Sequence, residues 1–301
     1  MTAEDGPCRE SLKSIERLIQ NNLGTERSIT AAKRVSGGCI ADAFQIVLDD
    51  ATVLFVKVSL GQDNDFDAEL NGLEALRSTN TIAIPKVVAS QTDDSIGILI
   101  LEWIQSSSPQ AEFWPRFGHK IAQLHLANQS IDQFGFSENN FIGATDQRNT
   151  WRDNWPEFFA EFRLAFQGDL ALSKGLIDVS QRKGLESLID NLPSLLASDT
   201  TSPALLHGDL WSGNFICDAN QNPVLFDPAV YFGHHECEFG ITTLFGGFDS
   251  AFYEAYHDVI PKDDGTTQRV EIYQLYHLLN HLNLFGRSYW SACRAILSKY
   301  S

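Results

Sequence analysis

Apolar residues in the first hundred positions recur mostly with the two-residue period of β-strands. The runs 44–48 and 52–58 flank a short Asp-Asp-Ala turn, which predicts an antiparallel hairpin. The elements predicted for this part are a helix at 10–22, strands and turns through 34–58, a helix at 64–77, and strands at 84–88 and 96–101. After its first helix, the chain therefore predicts a small antiparallel sheet with one helix.

The pattern changes at the polar segment 106–109, after which helical periodicity dominates. The predicted helices cover 112–129, 151–167, 178–197, 237–258 and 267–286. Two short apolar strands around a polar turn at 218–222 interrupt them. A β-rich first part and an α-rich second part predict a bilobal α+β fold. We place the lobes at 1–104 and 105–301.

Composition narrows the class of protein. The chain has 301 residues and a net charge of 22 − 39 = −17, which argues against a nucleic-acid or anionic-membrane partner because both need basic patches. An odd number of cysteines without a Cys-x-x-Cys pair argues against a disulfide framework or zinc ribbon and favours a reducing compartment. With no basic-apolar leader and no transmembrane stretch, we expect a soluble, cytoplasmic protein.

The segment 207–214, His-Gly-Asp-Leu-Trp-Ser-Gly-Asn, carries the most informative chemistry. An Asp, an Asn five residues later and a second Asp after a short strand form the pattern that kinase-like folds use for phosphoryl transfer. Asp209 would accept the proton of the attacking hydroxyl, while Asn214 and Asp227 would bind Mg²⁺ together with ATP phosphates. His-Gly-Asp alone is also typical of tight turns, but the apolar strands on both sides favour the catalytic interpretation.

A charged residue late in an apolar strand points to the same chemistry. Lys57 occupies such a position, where a charge needs a partner. In kinase-like folds this Lys contacts nucleotide phosphates and is held by a Glu of the following helix. On a helical wheel, Glu69 falls inside the apolar arc and Glu74 falls on its flank, so we predict Glu69 as the partner.

Two further segments are candidates for nucleotide contact. The loop containing Gly37, Gly38 and Cys39 lies between predicted strands, and glycines allow the backbone to approach phosphates. Cys39 is either a reactive thiol, able to form an intermolecular disulfide, or an inert small residue. Glu102 and Ile104 end the last strand of the first part, where a hinge would present backbone groups to adenine.

Candidate substrate residues lie near the catalytic segment. Trp211 is inside it and could stack against a sugar. His234 and Glu236, with a second histidine between them, lack zinc-ligand spacing, which favours a loop role near the substrate. Two more patterns are assigned to packing: a pair of histidines, His277 and His281, and an aromatic stripe at Trp151, Trp155, Phe158, Phe159, Phe162 and Phe166.

Taken together, these residues resemble the fructosamine kinase (ketosamine-3-kinase) family, which belongs with the aminoglycoside and choline kinases among protein-kinase-like phosphotransferases. The resemblance covers nearly the whole chain, and its central and C-terminal blocks are the distinctive ones. The matching blocks are 37–40, 55–58, 66–69, 134–136, 139–143, 151–155 with 158–159, 207–214, and 226–234 with 236.

The resemblance implies a protein-kinase-like fold with an N-terminal nucleotide-binding lobe, and ATP- and Mg²⁺-dependent phosphorylation of the 3-hydroxyl of ketosamines, free or on protein lysines. The phosphorylated product is unstable and releases the amine, so the implied role is repair of glycation. Lys57, held by Glu69, would neutralise phosphate charge. The sequence departs from the family at Ala41, where Asn is usual, which puts one contact of the glycine loop in doubt.

Other interpretations remain open at this point. The chain could phosphorylate another amino-sugar or amino-alcohol, or it could be a catalytically weak scaffold that senses redox state. We expect a monomer or a dimer linked through Cys39. The sequence does not decide which ketose or which amine is preferred.

Overall fold

The computed structural model describes residues 6–35, 41–61, 66–93, 95–127, 130–197 and 202–301. Its first part is a five-stranded antiparallel sheet in the order β1-β2-β3-β5-β4. The elements of this part are α1 (Arg9–Leu23), β1 (Ile29–Val35), β2 (Asp42–Leu48), β3 (Val53–Leu60), α2 (Asp67–Ser78), β4 (Val87–Thr92) and β5 (Ile96–Glu102).

The two helices cover opposite faces of this sheet. Alternation along β3 puts Leu54, Val56 and Val58 into one apolar cluster with the buried side of α1. A second cluster joins Leu73 of α2 to Leu99 and other residues on the opposite face. Lys57 belongs to the α2 side of the strand because side chains alternate.

The second part is mainly helical. Its elements are α3 (Phe113–Leu126), β6 (Asn140–Ile142), β7 (Thr145–Gln147), α4 (Trp155–Phe159), a π-helix (Ala160–Ala165), α5 (Phe166–Ser173), α6 (Val179–Leu195), β8 (Ala204–Leu206), β9 (Phe215–Cys217), β10 (Pro223–Leu225), β11 (Tyr231–Gly233), a 3₁₀ turn (His235–Cys237), α7 (Glu238–Leu244), α8 (Ser250–Val259), α9 (Thr266–Phe285), a second 3₁₀ turn (Arg287–Tyr289) and α10 (Trp290–Tyr300).

Three two-stranded ladders position the loops of this part. β6 pairs with β7, β9 with β10, and β8 with β11, all antiparallel. The β8–β11 ladder therefore brings the chain before the 207–214 segment beside the chain after Asp227. Two large apolar clusters, one around α4, α6 and α9 and one around α3 and α8, support these ladders.

The predicted bilobal α+β fold is confirmed, with a β-rich first part and a helical second part. The helices predicted at 10–22, 64–77, 112–129, 178–197 and 267–286 are present with small shifts at their ends. Because β5 ends at Glu102 and α3 begins at Phe113, we retain the 104/105 boundary as a proposal.

Several local predictions were wrong. The helix predicted at 237–258 is broken into α7 and α8, because Gly246 and Gly247 adopt positive φ angles between them. The strand predicted at 84–88 begins only at Val87, after Pro85, which cannot donate to the ladder. The sequence analysis also missed α10 and the β6–β7 hairpin.

Among the described residues, no helix is both long enough and apolar enough to cross a membrane.

Candidate active site

Lys57 is held between two carboxylates. Its Nζ lies 2.9 Å from both carboxylate oxygens of Glu69, and it also forms a close ion pair with Asp227. The ammonium group is buried, so it needs these partners to offset its desolvation. Glu74, the other candidate, is exposed and pairs with Arg77 instead. The structure therefore brings the first part of the chain to Asp227 through Lys57.

The catalytic segment is closed by Asn214. Its Nδ2 donates to the carboxylate of Asp209 at 2.9 Å, to the Asp209 carbonyl at 2.8 Å and to the Asp227 carbonyl at 3.3 Å. One carboxamide thus joins the predicted base to the second predicted metal ligand. These three bonds use the amide nitrogen, which leaves the carbonyl oxygen of Asn214 as its available ligand atom.

His207 and Gly208 explain the path of the loop before Asp209. The His207 ring bonds the Phe226 carbonyl through Nε2 at 3.0 Å and accepts from the Asp209 N–H at Nδ1 at 3.3 Å, which assigns a neutral imidazole protonated at Nε2. Burial lowers the pKa of His207, in agreement with that assignment. Gly208 has φ of 81°, and a Cβ there would lie 2.0 Å from the Ala229 carbonyl oxygen.

Glu238 was missed by the sequence analysis, although it anchors the same loop. Its fully buried carboxylate accepts from the backbone N–H of His207 at 2.6 Å and of Gly208 at 3.0 Å. Burial raises the pKa of Glu238, but His125 and His207 outweigh this effect and hold it below its usual value. His125 Nε2 lies 3.6 Å from the carboxylate. A carboxylate in an otherwise apolar helix start was the available signal.

Burial of the Asp209 carboxylate favours its proton-bound form. It raises the pKa of Asp209 to about 7, while the Asn214 bond lowers it and Glu238 raises it further. A general base is most effective when its pKa lies near the working pH. Asp209 is therefore set up chemically to accept a proton near neutrality.

The donor set at this site suits a hard divalent cation. Asn214 offers an amide oxygen and Asp227 a carboxylate, which are the oxygen ligands that Mg²⁺ uses beside phosphates. Asp227 has φ of 54°, so its backbone is in the left-handed region. The Lys57 ion pair uses Oδ1 of Asp227, so Oδ2 is the oxygen that this carboxylate would offer to the cation.

The other residues predicted to contact sugar or nucleotide differ in their exposure. Trp211 is 37% exposed, and its ring packs so closely over Gly213 that a Cβ there would lie 2.3 Å from it. Glu102 is exposed and accepts from the Lys86 N–H, and Ile104 is half-buried just beyond β5. Gly37, Gly38 and Cys39, predicted for nucleotide contact, lie outside the described residues.

His234 and Glu236, which we predict to lie near the substrate, have bonded partners inside the protein. Both side chains are buried, and Glu236 forms a bidentate ion pair with Arg269 at 2.6 and 2.8 Å. His234 bonds the Tyr273 hydroxyl at 2.9 Å. These two residues and His235 offer ligand atoms within 4.8 Å of one another, but the adjacent Arg269 guanidinium already neutralises the carboxylate.

The remaining candidates have packing roles. Four members of the aromatic stripe are buried in the helical core as predicted, namely Trp155, Phe158, Phe159 and Phe162, whereas Trp151 and Phe166 are only half-buried. Burial raises the pKa of Cys237 and Cys293 to about 12, which makes these two thiols unreactive. Ala41 packs at the edge of the cluster between the sheet and α2.

Comparison with known proteins identifies the family. The fructosamine kinase family model matches residues 11–301. Ribulosamine 3-kinase of Arabidopsis thaliana, a chloroplastic protein, is 41% identical over 285 residues, covering 92% of this chain and 84% of the relative. Ketosamine-3-kinase of Mus musculus is 34% identical over 316 residues, covering 95% of this chain and all of the relative.

Solved structures agree with this result. A crystal structure from Haemophilus somnus, provisionally named fructosamine-3-kinase, has a TM-score of 0.86 at 29% identity and covers 96% of this chain and 97% of its own. An aminoglycoside phosphotransferase bound to streptomycin and ATP has a TM-score of 0.64 at 14% identity, covering 97% and 96% of the two chains, which shows a shared kinase-like fold. The resemblance drawn from the sequence is thus confirmed, and the chain belongs to the fructosamine kinase family of enzymes.

Proposed function

We propose that this kinase uses ATP and Mg²⁺ to phosphorylate the 3-hydroxyl of ketosamines, including adducts on protein lysines. The phosphorylated adduct is then expected to release the amine, so the enzyme would reverse glycation. Support comes from the family and from relatives whose names specify ketosamine and ribulosamine 3-kinase activity.

One observation carries the proposal: Asp209, Asn214 and Asp227 form a single connected group with Lys57 and Glu69. The bonded pairs lie 5 to 170 residues apart in sequence, yet hydrogen bonds and ion pairs join them directly. A scaffold without catalysis would have no need to keep every one of these side chains. The redox-scaffold and aminoglycoside- or choline-like alternatives are not favoured by the relatives.

The first part of the mechanism is proton transfer from the sugar hydroxyl to the base. Asp209 accepts the proton of the sugar 3-hydroxyl, and its raised pKa suits it to that transfer near neutral pH. Asn214 bonds Oδ2 of Asp209, so Oδ1 would be the oxygen that accepts the proton. Trp211, exposed in the same loop, offers an aromatic face to the sugar.

Charge neutralisation is the second part. Bound Mg²⁺ would neutralise phosphate charge, and Asn214 and Asp227 are the residues that would hold it. Lys57 is oriented by Glu69 and contributes a fixed positive charge for the phosphates. The glycine loop with Gly37, Gly38 and Cys39, together with the backbone around Glu102 and Ile104, is proposed to bind ATP.

The experiment is ATP consumption with Mg²⁺ against ribuloselysine, fructoselysine, choline and an aminoglycoside. We expect turnover with at least one ketosamine and its loss in Asp209→Ala. The matched control is Asp190→Ala, which replaces an exposed aspartate on α6. Turnover confined to choline or the aminoglycoside would overturn the proposed substrate class. Turnover that Asp209→Ala retains at the wild-type level would overturn the proposed role of Asp209 as the base.

A further inference from the structure

The β6–β7 hairpin lies against the backbone that follows Asp227. Asn140 and Gln147 face each other across the hairpin ladder, and both side chains are almost completely buried. Burying a carboxamide costs free energy unless its donors and acceptors are bonded. The hydrogen-bond partners of these two side chains therefore indicate the structural role of the hairpin.

Both carboxamides donate to consecutive carbonyls after Asp227. Gln147 Nε2 bonds the Ala229 oxygen at 3.0 Å, and Asn140 Nδ2 bonds the Val230 oxygen at 2.8 Å. Gln147 Nε2 also bonds Asn140 Oδ1 at 2.7 Å. The two side chains thus form one unit that holds the backbone two and three residues beyond Asp227.

Further buried side chains hydrogen-bond to these two carboxamides and orient them. The Tyr276 hydroxyl donates to Gln147 Oε1 at 2.7 Å, and Asn149 Nδ2 donates to Asn140 Oδ1 at 3.0 Å. Arg163, in the π-helix, donates to Asn149 Oδ1 at 2.7 Å. Because acceptor and donor atoms of each carboxamide are both occupied, neither can rotate without losing bonds.

The held segment also touches the two other parts of the site. The Ala229 N–H donates to the His207 carbonyl at 2.9 Å, which ties it to the catalytic loop. Gly72 of α2 approaches Pro228 so closely that a Cβ there would lie 2.9 Å from the Pro228 ring. Asn71, next to Gly72, donates to Glu138 just before the hairpin at 2.6 Å.

The conformation of Asp227 makes such support necessary. A non-glycine residue with positive φ is held in a less favourable conformation, at a cost on the order of 1 kcal/mol, and persists only when its surroundings fix it. In kinases the Lys–Glu pair and the metal-binding Asp must both be in place for activity. Here the β6–β7 hairpin and the segment it bonds contact α2, which carries Glu69, and directly follow Asp227.

We propose that Asn140 and Gln147 are positioning residues that fix the carboxylate of Asp227 for magnesium and keep α2, with Glu69, against it. This rests on the proposed role of Asp227 as a metal ligand. The hairpin would hold Asp227 and the Lys57–Glu69 pair in the relative positions that they have in this structure.

The test compares Asn140→Ala and Gln147→Met with Asn283→Ala. Asn283 is a buried carboxamide whose side chain donates to Gln167, so its loss is a matched structural defect outside the group of residues that bonds the segment after Asp227. Gln147→Met keeps the side-chain volume and removes the donor. Calorimetry measures binding of a non-hydrolysable ATP analogue with Mg²⁺ and with EDTA, without any acceptor.

We expect the two hairpin variants to lose about tenfold of the Mg²⁺-dependent gain in nucleotide affinity, the size typical of residues that orient metal ligands. Asn283→Ala should keep that gain even if it is equally destabilised. Hairpin variants that keep it, or a control that loses it equally, would overturn the inference. A wild-type protein with no Mg²⁺-dependent gain would instead overturn the metal role of Asp227, whichever acceptor is phosphorylated.

Discussion

The side-chain amide of Asn214 donates a hydrogen bond of 2.9 Å to the carboxylate of Asp209. This bond links the proposed proton acceptor with a proposed metal ligand, and it opposes the effect of burial on the Asp209 pKa. The same amide bonds the backbone of Asp227. The proposed base and both metal ligands are therefore fixed relative to one another by a single side chain.

Asp209→Asn should abolish turnover and stabilise the magnesium-free protein. Loss of a general base typically lowers kcat by about 10²–10⁴-fold. The pKa of Asp209 is about 7 in the folded state and 3.8 ordinarily, so the native state holds this proton more tightly and loses stability as pH rises from 4 to 7. The variant lacks this loss, so we expect it to be more stable than the wild type by up to about 4 kcal/mol at pH 8 and to have no such advantage near pH 4.

Urea unfolding in EDTA at pH 4.5 and pH 8 measures this difference. Asp190→Asn is the control, because Asp190 is exposed on α6 and its substitution should change neither activity nor stability. An Asp209→Asn protein no more stable than wild type at pH 8 would contradict the proposed cost of the buried charge.

Glu69→Gln should weaken ATP use, whereas Glu74→Gln should not. Removing the Glu69 charge leaves Lys57 buried with Asp227 alone, so Lys57 should move towards Asp227 and away from the phosphates. We expect at least a tenfold fall in kcat/KM for ATP, about 1.4 kcal/mol. Steady-state kinetics at varied ATP check it, with Glu74→Gln as the exposed control. Equal losses in both variants would show that the charge of α2, and not this pair, matters.

Much of this site follows from local patterns. Alternation in β3 puts Lys57 on the α2 face, and helical spacing selects Glu69 over Glu74. The spacing of Asp209 and Asn214 likewise fits one tight loop. These features depend on neighbours within a few residues, or on one helix and one strand.

What the sequence did not predict depends on distant partners. Glu238 acts on a loop about 30 residues earlier, and Gln147 bonds a carbonyl 82 residues later. No periodicity encodes such pairings. The ion pair of Glu236 is a further example, because its partner, Arg269, lies 33 residues away on α9.

Glu238→Gln should lower kcat with little change in the KM for ATP. The carboxylate accepts two backbone N–H groups, and an amide can accept only one of them, leaving a buried donor unbonded at a cost of about 1–3 kcal/mol. The loop that carries Asp209 should then sample misplaced positions. Kinetics with both substrates varied test this, with exposed Glu254→Gln as the control. A rise in the KM for ATP with unchanged kcat would contradict it.

Arg269→Met should strongly destabilise the protein without changing ketosamine recognition in the fraction that folds. The substitution leaves the buried Glu236 carboxylate without its bidentate partner, and breaking such a pair typically costs about 3–5 kcal/mol. The double variant Glu236→Gln, Arg269→Met removes the charge as well and should recover part of that loss. Urea unfolding gives both values, and Arg152→Met, which breaks an exposed pair with Glu161, should cost below about 1 kcal/mol. If Glu236→Gln alone raised the ketosamine KM at unchanged stability, Glu236 would be a substrate residue after all, and its pairing with Arg269 would serve to orient it.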